Sequence, residues 1–176
     1  MQQPGSLMTE RQHPNPLLPP NPSASSDGAR AVVLDIQDAF RKGDYARIAA
    51  RYHDDIDWLV HGPISVFPEI GRRHGKVAVF KALAALNVMY RFERYETDHL
   101  IAEGDCTAGI ADVTLVQRAS GRTIQCRIAN FQRVKDGLVV EYRGFIDSFD
   151  AVEQMLGHTL DVPDELHADR GDLVAV

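Results

Sequence analysis

Asp112 and Arg127 carry most of the chemistry this sequence offers. They stand in two segments of alternating polar and apolar residues, ADVTLVQ (111–117) and TIQCRIANFQRVK (123–135). Desolvation disfavours a carboxylate in an apolar recess, and a neighbouring guanidinium favours it. Such opposed effects make Asp112 usable as an acid or base near neutral pH, with Arg127 holding negative charge that develops on an oxygen. The plain alternative is an ion pair that clamps two strands. His61, ahead of Gly62 and Pro63, titrates near neutral pH and can move a proton, although a turn residue is its plainer role. Tyr142 offers a hydroxyl, Asp147 a second carboxylate, and Trp58 and Phe131 apolar walls for a substrate.

These residues need a frame. Ser120-Gly121 and Asp136-Gly137 are tight-turn signals between β-rich runs, and they predict a three-stranded antiparallel meander over Ala111 to Asp147. With two-residue loops, Asp112 falls opposite Ala129, Ala129 opposite Gly144, and Phe131 opposite Tyr142. Alternation then gathers Asp112, Arg127, Ala129, Phe131, Val140, Tyr142, Gly144 and Ile146 on one face. The other face takes Cys126, Arg143, Phe145 and Asp147. Ala129 and Gly144 leave a gap beside Asp112, walled by Phe131, Val140, Tyr142 and Ile146. Arg127 reaches Asp112 as a diagonal neighbour, ~7–8 Å away at Cα. An apolar hollow with a few convergent polar groups suits a small molecule. A bulge would shift this register and flip part of the set.

The rest of the chain bounds the reading. The 176 residues, 44% hydrophobic, suggest one α+β domain with tails. The net charge of −6 weighs against nucleic acid or an anionic membrane surface as main partner. No apolar run approaches the ~18 residues of a membrane span. Cys106 and Cys126 have no paired spacing, so reduced thiols are expected. No metal cluster or phosphate-binding glycine loop is visible, and no cofactor is expected. Residues 1–28 lack an apolar leader, so a cytoplasmic protein is the simplest reading. They are rich in Pro, Ser, Asn and Gln, which predicts a disordered tail. Residues 158–176 read as a second tail.

Between the tails, the predicted order is three helices and then strands. A helix from Ala29 to Lys42, capped by Asp27, carries a Val32-Val33-Ile36-Phe40 stripe. Asp44 caps a helix from Tyr45 to Tyr52. A strand spans Ile56 to Val60, followed by a loop through Arg73. A helix spans Lys76 to Leu86, and a strand spans Val88 to Ile101. A short helix covers Asp150 to Leu156.

This order, together with FRKGD (40–44), YHDD (52–55), WLVHGP (58–63), GKVAVF (75–80) and EYRGFID (141–147), resembles the SnoaL-like branch of the NTF2-like superfamily over 29–157. The resemblance implies a cone in which N-terminal helices pack into a strongly bent, mostly antiparallel sheet around a deep pocket. It also implies homodimers. The superfamily includes polyketide cyclases, ketosteroid isomerases, epoxide hydrolases and non-catalytic binding domains, so fold leaves function open. The isomerase parts are missing: Val60 stands in place of the basic Asp, Ile36 of the oxyanion-hole Tyr and Ala129 of the oxyanion-hole Asp. Of the three limonene-epoxide hydrolase residues, Asp112 is kept; Ile110 and Gly144 replace the others. Asp147 takes a pocket role from likeness to the polyketide cyclases. The expectation is a cofactor-free isomerase, cyclase or hydratase type of enzyme acting on a small hydrophobic oxygenated molecule. The alternative is a non-catalytic ligand-binding or dimerisation module.

Overall fold

Ser25, not Asp27, starts the first helix. In the computed structural model, which describes residues 19–161, the Ser25 hydroxyl accepts from the Gly28 amide at 3.2 Å and caps α1 (Ser26–Lys42). Asp27 sits in the first turn, where the helix dipole favours a carboxylate. Gly43, at φ 65°, closes α1, and Asp44 caps α2 (Tyr45–Ala50) through the Arg47 amide. The second helix is shorter than expected. Tyr52 already belongs to β1 (Tyr52–His61), which buries Tyr52, Ile56, Trp58 and Val60.

A short strand, β2 (Gly71–His74), pairs with β1 where a loop was expected. Its GRRH sequence has no apolar alternation to announce it. There follow α3 (Lys76–Met89), β3 (Tyr90–Glu103), β4 (Cys106–Gln117), β5 (Thr123–Lys135), β6 (Leu138–Ile146) and α4 (Ser148–Leu156). The six strands form one open, curled sheet in the order β2-β1-β6-β5-β4-β3, antiparallel except for the β1–β6 pair. Val32, Ile36 and Ala39 of α1 and Val79 and Leu83 of α3 pack with Ile56, Trp58, Ile124 and Val139 of the sheet.

The registers differ from the two-residue-loop expectation in two ways. The β4–β5 connection spans residues 118–122, so Asp112 pairs with Arg127 and Ala129 with Ile110. That shift is two residues and keeps every side chain on its expected face. The β5–β6 turn is the expected tight one, with Asp136 at φ 51° and Gly137 at φ 76°. Beyond it, however, Val134 pairs with Val139 and Arg133 with Glu141, leaving Val140 as an extra residue. This bulge flips the remainder of β6. Tyr142 now lies beside Gln132, Gly144 beside Asn130, and Phe145 beside Ala129.

The expected hollow therefore does not form. Ala129 pairs with Ile110 and Phe145 on the outer face. The space over Gly144 holds the Tyr142 ring: a Cβ there would lie 3.0 Å from Tyr142 Cε1 and 3.1 Å from Val60 Cγ2. Of the residues read as an N-terminal tail, 19–28 lie against the β3–β4 turn and in α1. Asn21 N donates to Asp105 Oδ1 at 2.8 Å, and Gly104 N donates to Ser26 Oγ at 2.9 Å. Residues 1–18, and 162–176 of the second tail, lie outside the described residues.

Candidate functional site

The bulge places one polar row on the inner face. Trp58, Tyr142, Gln132 and Thr107 are successive partners across β1, β6, β5 and β4. Trp58 and Tyr142 stack at 5.8 Å with 14° between their planes. Above them, Ile36, Gln37 and Phe40 of α1 and Leu83 and Leu86 of α3 complete the wall of a cavity of about 120 Å³. A core cavity of roughly 150 Å³ takes a benzene ring. This one therefore suits a guest of about one six-membered ring.

The polar groups at the cavity are hydroxyls and carboxamides. Burial holds the Tyr95 phenol up at about 12, and it raises Tyr52 and Tyr142 well above the ordinary phenol value too. Ionising Tyr142 is also opposed by charge on Tyr95 and Tyr52, and ionising Tyr52 by charge on Tyr95. Burial pushes the Cys126 thiol up to about 11. All four groups stay neutral in ordinary buffers. Among the described residues, no Asp, Glu, His, Lys or Arg lines this cavity. None of them forms a group of three or more His, Cys, Asp and Glu suited to a metal.

Two of the seven residues singled out in the sequence, Trp58 and Tyr142, line the cavity. Asp112 and Arg127 do form a pair, at 3.1 Å, but on the outer face of the sheet with side chains 43% and 60% exposed. Arg127 also contacts Asp98. An exposed pair of this kind contributes about 0–1 kcal/mol, and it lacks the desolvation that the acid–base reading required. His61 stacks on Phe145 at 4.5 Å, and Phe131 meets Phe145 edge-on at 6.3 Å, on that same outer face. Asp147 is exposed and caps α4, accepting from the Asp150 amide at 3.2 Å.

The sequence reading missed Gln132, Tyr52, Tyr95 and Gln37. One signal was available. Leu138, Val139 and Val140 are three successive apolar residues directly after a tight turn, which breaks the alternation that an unbulged strand would keep.

The outer face also carries an ionic network around Arg143, whose side chain is 5% exposed. Arg143 Nη2 lies 2.6 Å from Asp57 and 2.7 Å from Glu141. Its Nη1 donates to the carbonyls of Asp57 and Tyr142, each at 2.9 Å. This guanidinium sits behind the Trp58–Tyr142 pair and holds β1 to β6.

Residues 33–142 match the family model of the SnoaL-like domain. The chain belongs to the SnoaL-like family. Among solved structures, this SnoaL-like protein is similar to a candidate isomerase from Rhodopseudomonas palustris, with 29% identity, a TM-score of 0.68, and coverage of 74% of this chain and 97% of that one. An NTF2-like protein from Burkholderia xenovorans LB400 matches with 21% identity and a TM-score of 0.63, over 74% and 97% of the two chains. An LEH-like epoxide hydrolase from M. tuberculosis matches with 17% identity and a TM-score of 0.63, over 75% and 92%. The last two likenesses speak for the fold alone. No curated protein matches the sequence. Among the described residues, no helix is long and apolar enough to cross a membrane.

Proposed function

We propose that this SnoaL-like protein binds a small, largely apolar, oxygen-bearing molecule inside the cone. The observation that carries this reading is the composition of the cavity wall: aliphatic and aromatic side chains, with tyrosine hydroxyls and carboxamides as the polar groups. Such a wall positions and polarises a ligand oxygen by hydrogen bonds. It supplies neutral donors and no base that ionises near neutral pH. Any isomerase- or cyclase-type reaction here would run through donation to that oxygen, with Tyr142 as the donor beside Trp58. The neighbouring isomerase and epoxide hydrolase structures are consistent with a small-molecule role.

The protein provides its own reporter. Trp58 is the only tryptophan and borders the cavity. Titration with cyclohexanol, which is transparent where indole absorbs, is expected to change Trp58 fluorescence saturably and to raise the melting temperature. A flat titration with an unmoved melting temperature would sink the reading.

The outer face supports a second proposal, a homodimer. Phe131 and Phe145 are each 42% exposed there, beside Ile110 and Ile101 on neighbouring strands. Asp98, Asp112 and Arg127 border this apolar band with both signs of charge, which suits a face that meets its own copy. Light scattering after size exclusion is expected to give a dimer mass, and Phe131→Asp a monomer. A wild-type protein that stays monomeric at high concentration rules this contact out.

A further inference from the structure

Gln132 is a polar side chain in an apolar place. It projects inward from β5 between Tyr142 and Thr107, and only 7% of it is exposed. Its Nε2 donates to Asn130 Oδ1 at 3.1 Å. Its Oε1 is buried and accepts nothing from the described residues. The next group along the row, Thr107 Oγ1, is likewise buried without a partner among the described residues. A buried carboxamide oxygen left without a donor is costly, and native interiors rarely tolerate it unless something else arrives to pair with it. Here the unpaired oxygen belongs to a residue of the cavity wall.

The chemistry of that oxygen is one-sided. A tyrosine hydroxyl donates and accepts, whereas a carboxamide oxygen only accepts. It can be satisfied by a guest that brings an O–H. A ketone or ether of the same shape brings lone pairs toward lone pairs and leaves Gln132 unpaired.

We propose that Gln132 is a specificity-determining residue: its Oε1 accepts a hydrogen bond from a ligand hydroxyl, so that the cavity selects a single-ring alcohol or phenol over the ketone or ether of equal size. The same ligand oxygen accepts from the hydroxyl of Tyr142, whose backbone is directly paired with that of Gln132. The guest oxygen is thus held between an acceptor and a donor on neighbouring strands. This inference rests on the cavity reading above and adds to it the class of the ligand.

Calorimetric titration of the full chain with cyclohexanol and with cyclohexanone tests it. A polar pocket rejects an analogue that lacks the matching donor, so the alcohol is expected to bind about tenfold or more tightly than the ketone. Gln132→Met keeps the length of the side chain and removes the acceptor. It is expected to erase that preference by weakening the alcohol while leaving the ketone within about twofold. Equal affinities in the wild-type protein overturn the role of Gln132 and leave the cavity reading standing. So does a preference that persists in Gln132→Met. Should that variant fail to fold, the wild-type comparison decides alone. Failure of both compounds to bind the wild-type protein overturns the cavity reading and this inference with it.

Discussion

Above about pH 10, this protein is expected to unfold in a single steep transition. In an unfolded chain tyrosine ionises near pH 10. In the folded chain burial holds Tyr95 protonated up to about 12, and it raises Tyr52 and Tyr142 well above the ordinary phenol value. Below pH 10 the phenols are protonated in both states and contribute no pH dependence. Between about 10 and 12 the unfolded state releases protons that the folded state must keep. Stability then falls by about 1.4 kcal/mol per pH unit for each phenol, or about 4 kcal/mol per unit for the three together. The Cys126 thiol, raised by burial from its ordinary 9.0 to about 11, starts the same decline a little earlier. A domain with about 5–15 kcal/mol of stability is exhausted within a few such units. Phenolate absorbance and far-ultraviolet circular dichroism, followed together, should move in one step. Tyr52→Phe should make the step shallower. Gradual phenolate formation around pH 10 with the dichroism intact would show that these hydroxyls are open to water.

The second large effect is expected at Arg143. Arg143→Ala leaves Asp57 and Glu141 without the cation between them, and it strands the carbonyls of Asp57 and Tyr142. Removing one partner of a buried ion pair typically costs about 3–5 kcal/mol. Arg72, which also reaches Asp57 at 3.0 Å, moderates the loss on that side, and Arg133, 3.7 Å from Glu141, moderates it more weakly on the other. Urea denaturation should therefore show a markedly lower midpoint at unchanged slope. A shift worth less than about 1 kcal/mol would mean that the network is solvated like a surface pair. The variant also bears on the site, because the cavity face of the same β1–β6 seam carries Trp58 and Tyr142. A looser seam should weaken cyclohexanol binding in the variant that remains folded.

Much of the frame was legible in the sequence because it is local. Gly43 and Asp44 mark the α1–α2 junction, and the Val32-Ile36 stripe marks the buried side of α1. Asp136-Gly137 marks the turn between β5 and β6, and Gly157 ends α4 at φ 78°. Each of these follows from backbone conformation or helical period. The Asp112–Arg127 pair was legible too, since both residues fall on one face in either register. The candidate site was not legible, because it depends on a count along two strands. A single unpaired residue at position 140 decides whether Tyr142 shares a face with Phe131 or with Gln132. Propensity says nothing about such a count, and β2 shows the same limit from the other side. A glycine and three polar residues became a strand because an open edge of β1 was there to be paired, and their own pattern did not require it.

The extra residue at Val140 also bears on how relatives of this chain are to be compared. A homologous strand that lacks the insertion has opposite parity from that point to its end. A gapless superposition of the two sequences would then match interior groups of one protein with surface groups of the other, all the way to the final helix. Transfer of active-site assignments across this strand is sound only when the loop-proximal irregularity has been located in both molecules.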